Sequence, residues 1–180
     1  MDQTLYTTRP TDKHRFAREM AVYDLLEKLN ISFVRLDHEV TPSIESCREV
    51  EQLLGIEMCK NLFLCNRQKT EFYLLLMPGQ KIFQTKELSQ QIGSARLSFA
   101  KESYLEEFLN ITPGSVSVMG LMNDRENRVQ LLIDKEVAEA EFIGCHPCIN
   151  TSSLKIKTKD MLDNILPYIG HVPTIVELTL

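Results

Sequence analysis

Two short apolar runs, Lys60–Asn66 and Phe72–Pro78, flank the polar stretch Arg67-Gln68-Lys69-Thr70-Glu71. Runs of that length joined by so short a polar link read as a β-hairpin. Any fold open to this chain has to accommodate that hairpin, which Met77-Pro78-Gly79 closes.

Helical patterns surround it. Thr11 or Asp12 is the expected N-cap of a first helix. Phe16, Met20, Tyr23, Leu26 and Leu29 give that helix one apolar face, and Asn30 ends it. Ile31–Leu36 alternates like a strand. Thr41-Pro42-Ser43 is a break, and a second helix is predicted over Ile44–Leu54, stopped by Gly55. Further helices are predicted at Lys86–Ile92 (capped by Thr85), Lys101–Leu109, a short stretch from Lys135 or Glu136, and Lys159–Ile169. Further strands are predicted at Arg96–Ala100, Ser115–Leu121, Arg128–Asp134, Phe142-Ile143 and Leu154–Lys157. The elements interleave, yet several strands join by hairpins. The expected class is therefore α/β of the α+β kind, with a mixed, largely antiparallel sheet flanked by helices. Residues 1–11 read as a loose N-terminal arm and 12–180 as one domain.

A net charge of −5 over 180 residues excludes a broad duplex-binding surface and hence DNA as a partner. A small footprint on the end of an RNA needs only a few local cations. Lys60, Lys81, Lys86, Arg96, Lys101 and the run Lys155, Lys157, Lys159 are the available ones. The plain reading of that last run is one solvated strand face. No apolar run reaches membrane-spanning length, so no membrane partner is expected. The start Met1-Asp2-Gln3-Thr4 lacks a basic and apolar leader. Five scattered cysteines suit a reducing compartment. These features together predict a cytoplasmic protein.

Three groups carry chemistry. Lys60 opens an apolar strand; it can snorkel to solvent, or it can polarise an ester carbonyl or hold a phosphate. Asn61 alternates to the other face. His146 follows Gly144-Cys145 and precedes Pro147, which confines it to extended backbone, while Gly144 lets backbone or ligand approach closely. The turn Pro113-Gly114-Ser115-Val116-Ser117 offers backbone N–H groups to an anion. Cys145 and Cys148 form a Cys-x-x-Cys, the spacing of thiol redox pairs or half a zinc site. No helix start follows it, and a zinc site needs two more ligands. Phosphate-loop, dinucleotide, zincin and serine-elbow patterns are absent.

Taken in order, several pieces resemble the YbaK/prolyl-tRNA synthetase-associated editing domain family, and within it the free-standing ProX/PrdX-type alanyl-tRNA(Pro) deacylases. They are Cys59–Leu64, Leu75–Gly79 with Lys86–Leu88, Arg96–Ala100, Pro113–Ser117, Asn123-Asp124, Gly144–Pro147 and Asn150-Thr151. The resemblance covers about residues 15–175. It implies that family's fold and hydrolysis of the ester joining a wrong amino acid to tRNA(Pro). Water would attack, helped by the terminal ribose hydroxyl, with no metal and no cofactor. It implies a catalytic role for Lys60 and substrate-binding roles for Asn61, Gly114, Ser115, Gly144, His146 and Pro147. The implied partners are the acceptor end of mischarged tRNA(Pro) and prolyl-tRNA synthetase itself. Lys60 and His146 are then expected to share one narrow recess. Related sequences commonly read Ser-Pro-Phe after Gly-Ser-Val, where this chain has Ser117-Val118-Met119. Cys145 matches no catalytic group. The alternatives are a binding module that senses an amino acid or tRNA without hydrolysis, an editing enzyme for cysteinyl-tRNA(Pro), and a thiol enzyme using Cys145 and Cys148.

Overall fold

The computed structural model describes residues 3–40 and 44–179; the Thr41-Pro42-Ser43 break lies outside them. The elements run β1 (Leu5–Tyr6), α1 (Ala17–Lys28), β2 (Phe33–Asp37), α2 (Ile44–Leu54), β3 (Cys59–Cys65), β4 (Phe72–Pro78), α3 (Thr85–Ile92), β5 (Ser98–Phe99) and α4 (Glu102–Leu109). A 3-10 turn at Val118–Asn123 follows, then β6 (Val129–Asp134), α5 (Lys135–Glu139), β7 (Phe142–Cys145) and β8 (Ser152–Lys157). The last helical stretch is α6 (Thr158–Asp160), a π-helical piece Met161–Ile165 and α7 (Leu166–Ile169), followed by β9 (Thr174–Val176).

The predicted hairpin forms as expected, with Cys59 opposite Pro78 and Cys65 opposite Phe72. Asn66 holds its turn by accepting from the N–H groups of Thr70 and Glu71. The strands make two sheets rather than one. A four-stranded sheet, β1-β2-β8-β7, is antiparallel throughout. A five-stranded sheet, β5-β3-β4-β6-β9, is antiparallel on the β3 side and parallel where β4 meets β6 and β6 meets β9.

One core cluster joins both sheets, with Phe63, Leu74 and Leu131 alongside Ile143, Leu154 and Ile156, and with Val22 and Leu26 of α1. A second cluster covers the other face of the five-stranded sheet, where Leu64, Leu75 and Met77 meet Leu88 of α3. Every position of β4 is buried because both its faces are covered. Side chains alternate along β3. Asn61 therefore shares the face of Cys59 and Phe63, and Lys60 shares that of Leu62 and Leu64.

Three expectations are corrected. The N-terminal arm is docked: Leu5 pairs with Leu36 and Tyr6 with Arg35, and Arg9 bonds Asp24 and Glu27. The first helix begins at Ala17, with Phe16 as N-cap and exposed. Asp12 cannot cap it, since its carboxylate is held by Arg15 at 2.7 Å. Ser115–Leu121 is no strand. Ser117 Oγ accepts from the Met119 N–H and starts the 3-10 turn instead. The strand β9 was not anticipated.

Candidate active site

His146 sits just past β7, and three contacts fix it. Its Nδ1 lies 2.8 Å from the carbonyl of Ser152. A carbonyl only accepts, so Nδ1 carries the proton and Nε2 keeps its lone pair. The backbone carbonyl of His146 accepts from Ser117 Oγ at 2.6 Å. The His38 ring stands 6.3 Å away, centroid to centroid. Burial pushes the His146 pKa below the ordinary imidazole value; the bond to Ser152 opposes this and His38 adds to it. The ring is therefore neutral at neutral pH. His38 and His171 have both ring nitrogens engaged, by Glu39 and Ser153 and by Ile169 and Asp124. His146 Nε2 has no partner among the described residues, so this ring alone of the three offers an open acceptor.

Gly144 lies against the segment before β3. A Cβ there would fall 2.3 Å from Met58 Sδ and 2.6 Å from Ile56 Cδ1, so any larger residue would have to push both side-chain ends aside. Its carbonyl is approached by Cys59 Sγ at 3.8 Å. Met58, Cys59, Gly79, Val137, Phe142 and Gly144 line a recess of about 110 Å³. Asn61 bonds the carbonyl of Cys59 through Nδ2, while its Oδ1 is buried without a partner. Gly114 has φ +82°, a left-handed turn that favours glycine, and packs near Asn150. Ser115, Cys148, Ile149 and Asn150 line a second recess of about 200 Å³, its wall continuing the chain just after His146. Pro147 is buried and braces that loop.

Lys60 is exposed, and its ammonium donates to the carbonyl of Lys81 at 2.7 Å. The acceptor belongs to the turn after β4, whose Gly79 forms part of the smaller recess. The ammonium is thus tied to that turn, with two of its three donors uncommitted to any described residue. Neither Lys60 nor His146 lines either of these two recesses.

The other cations divide. Lys81 is buried between Asp134 at 3.2 Å and Glu136 at 2.8 Å and donates to the Leu178 carbonyl, so it is structural. Lys155 is committed to the Leu54 carbonyl and the Phe142 ring, leaving only Lys157 and Lys159 of that run exposed. The cysteines are all free thiols. Burial pushes Cys148 up to about 12, Cys59 up to about 11 and Cys145 higher still. Buried thiols that stay protonated are poor nucleophiles, which argues against a thiol enzyme. His38 and Met58 shape the site, yet nothing in their local sequence marks them, and Ser117 was marked only as part of a turn. The contacts that bring them to the site are with residues far along the chain: Ser153 for His38, His146 for Ser117 and Gly144 for Met58.

The family model for the aminoacyl-tRNA editing domain matches residues 38–164. The chain belongs to the aminoacyl-tRNA editing domain family. It is 29% identical over 160 residues to the prolyl-tRNA editing protein ProX of Acetoanaerobium sticklandii, covering 89% of this chain and 97% of that one. It is 26% identical over 111 residues to a proline–tRNA ligase of Methylobacillus flagellatus, covering 58% of this chain but 19% of the ligase. A crystal structure described as a candidate trans-editing enzyme for prolyl tRNA synthetase superposes with a TM-score of 0.67 at 14% identity, over 92% of this chain and 99% of that one. That last likeness is one of fold. No described helix is long and apolar enough to cross a membrane.

Proposed function

We propose that this chain is a trans-acting editing hydrolase that cleaves the ester of mischarged tRNA(Pro), with alanyl-tRNA(Pro) as its main substrate. One observation carries the reading: the editing-domain match runs unbroken from residue 38 to 164 and so includes both Lys60 and the Gly144–Thr151 loop. The similarity to ProX extends it to nearly the whole chain.

An aminoacyl ester is already activated, so positioning and electrostatic help suffice. Lys60 offers two free N–H donors to the phosphate or ester oxygen at the RNA end. Asn61 Oδ1 and the Gly144 recess hold the acyl portion. His146 Nε2 accepts a proton from the substrate's ribose hydroxyl or from the attacking water, and Ser152 holds the ring in the tautomer this needs. Gly114, Ser115 and Pro147 keep the loop in place. The recess of about 110 Å³ rejects amino acids by size, which a methyl-sized difference in binding energy alone cannot do. The acceptor end of tRNA(Pro) and prolyl-tRNA synthetase are the partners this reading supplies, and the setting is cytoplasmic. A panel of tRNAs charged with alanine, cysteine, serine and proline tests it. Alanine is expected to be released at catalytic enzyme levels and proline to be spared. Tight binding without turnover is the result that replaces this reading with the binding-module one.

A further inference from the structure

The recess of about 200 Å³ is lined by Phe16, Arg18, Thr112, Ser115, Asn150 and Thr151, together with Cys148 and Ile149. No carboxylate lines it. Arg18 forms no ion pair and no hydrogen bond among the described residues, although its Nη1 is buried. The side chains of Thr112, Ser115, Asn150 and Thr151 likewise have no hydrogen-bond partner among the described residues. A buried guanidinium nitrogen without an acceptor costs stability unless an anion meets it. The planar fork of arginine matches phosphate oxygens. Phe16, 65% exposed, stands at the same recess, and an exposed aromatic ring accepts a stacked base. Phe16 and Arg18 precede the segment that matches the editing-domain model.

We propose that this recess is a nucleotide subsite. Arg18, with Ser115 and Asn150, holds a phosphate, and Phe16 stacks the attached base. The inference rests on the reading above for its setting: the nucleotide would be part of the single-stranded end of the RNA, seated beside the His146 loop. It does not rest on hydrolysis, so uncharged RNA can test it.

Binding of an uncharged single-stranded RNA oligomer ending in the tRNA acceptor sequence is measured by fluorescence anisotropy across a salt series. Arg18→Ala is expected to weaken binding about tenfold and to flatten the salt dependence by roughly 0.7–1 in slope, the loss of one phosphate contact. Phe16→Ala is expected to weaken binding about tenfold, within the range for one lost stack, with no change in slope. Inorganic phosphate alone should perturb the Arg18 side-chain nitrogen resonances of the wild-type protein, a readout that does not depend on the variants folding. Unchanged RNA affinity in both variants, or Arg18 resonances indifferent to phosphate and to RNA, overturns the proposal. Perturbation by phosphate without any effect of RNA shows an anion pocket unconnected to nucleic acid and equally overturns it. RNA binding through this recess by a protein that releases no amino acid leaves the subsite standing and removes the editing function.

Discussion

Lys60 and His146 differ in what their surroundings leave open. Lys60 spends one donor on the Lys81 carbonyl and is otherwise exposed. Its removal costs a single surface hydrogen bond, about 1 kcal/mol or less. Lys60→Ala should therefore melt within a few degrees of the wild type while losing on the order of 100-fold in single-turnover deacylation. Wild-type turnover in that variant removes Lys60 from the mechanism. His146 makes a pH prediction. Its folded pKa lies below the ordinary 6.5 because of burial, so the native state takes up the proton later than the unfolded chain. Stability is then full above about 6.5 and is lost as pH falls from there toward the folded value. The deacylation rate should show its acid limb in that same window below 6.5, and His146→Gln should abolish that limb. A rate that climbs as pH drops contradicts a basic role for Nε2. The sequence marked both residues through their neighbours, an apolar strand for one and a proline for the other. It could not show which nitrogen Ser152 engages, because that bond depends on how the loop closes.

At the level of elements, the hairpin was legible because polarity alone delimits it. The turn at Pro113-Gly114 is present as read, but Ser115–Leu121 was misread as a strand because its apolar residues allow one. Ser117 decides otherwise, through two bonds at once: from the Met119 N–H and to the His146 carbonyl. The second partner lies 29 residues away in sequence, beyond any local pattern. Ser117 thus couples the 3-10 turn to the site loop. Ser117→Ala should cost about 1–3 kcal/mol in denaturant unfolding, the penalty for leaving buried backbone groups unpaired. It should also lower deacylation beyond what partial unfolding explains. Equal activity per folded molecule would mean that the turn supports the fold only. The short N-terminal strand was missed for a related reason. Leu5 and Tyr6 form a strand only by pairing with Leu36 and Arg35.

Across the whole molecule, the five-stranded sheet is closed at its far side by charge. Lys81 and Asp134 are both buried. Together they bond the Leu178 carbonyl and the Leu178 N–H, tying the C-terminal segment to the turn after β4. That turn also carries the acceptor for Lys60. Lys81→Met should leave Asp134 buried and uncompensated at a cost of about 3–5 kcal/mol, lowering the melting temperature by on the order of 10 °C. A melting temperature unchanged in that variant would show that the pair adds nothing net. Sequence composition listed Lys81 among the free cations, since a buried lysine and an exposed one look alike until the fold supplies a carboxylate. The fold class was readable from interleaved elements and hairpins; the division into two sheets was not, because pairing partners are set by tertiary packing.

The central claim is ester hydrolysis on mischarged tRNA(Pro), and release of free alanine from alanyl-tRNA(Pro) tests it most directly. With enzyme far below substrate, the account predicts repeated turnover by the wild-type protein, little by Lys60→Ala, and sparing of prolyl-tRNA(Pro). Alanine release no faster than the spontaneous rate, or equal release from the prolyl ester, contradicts it.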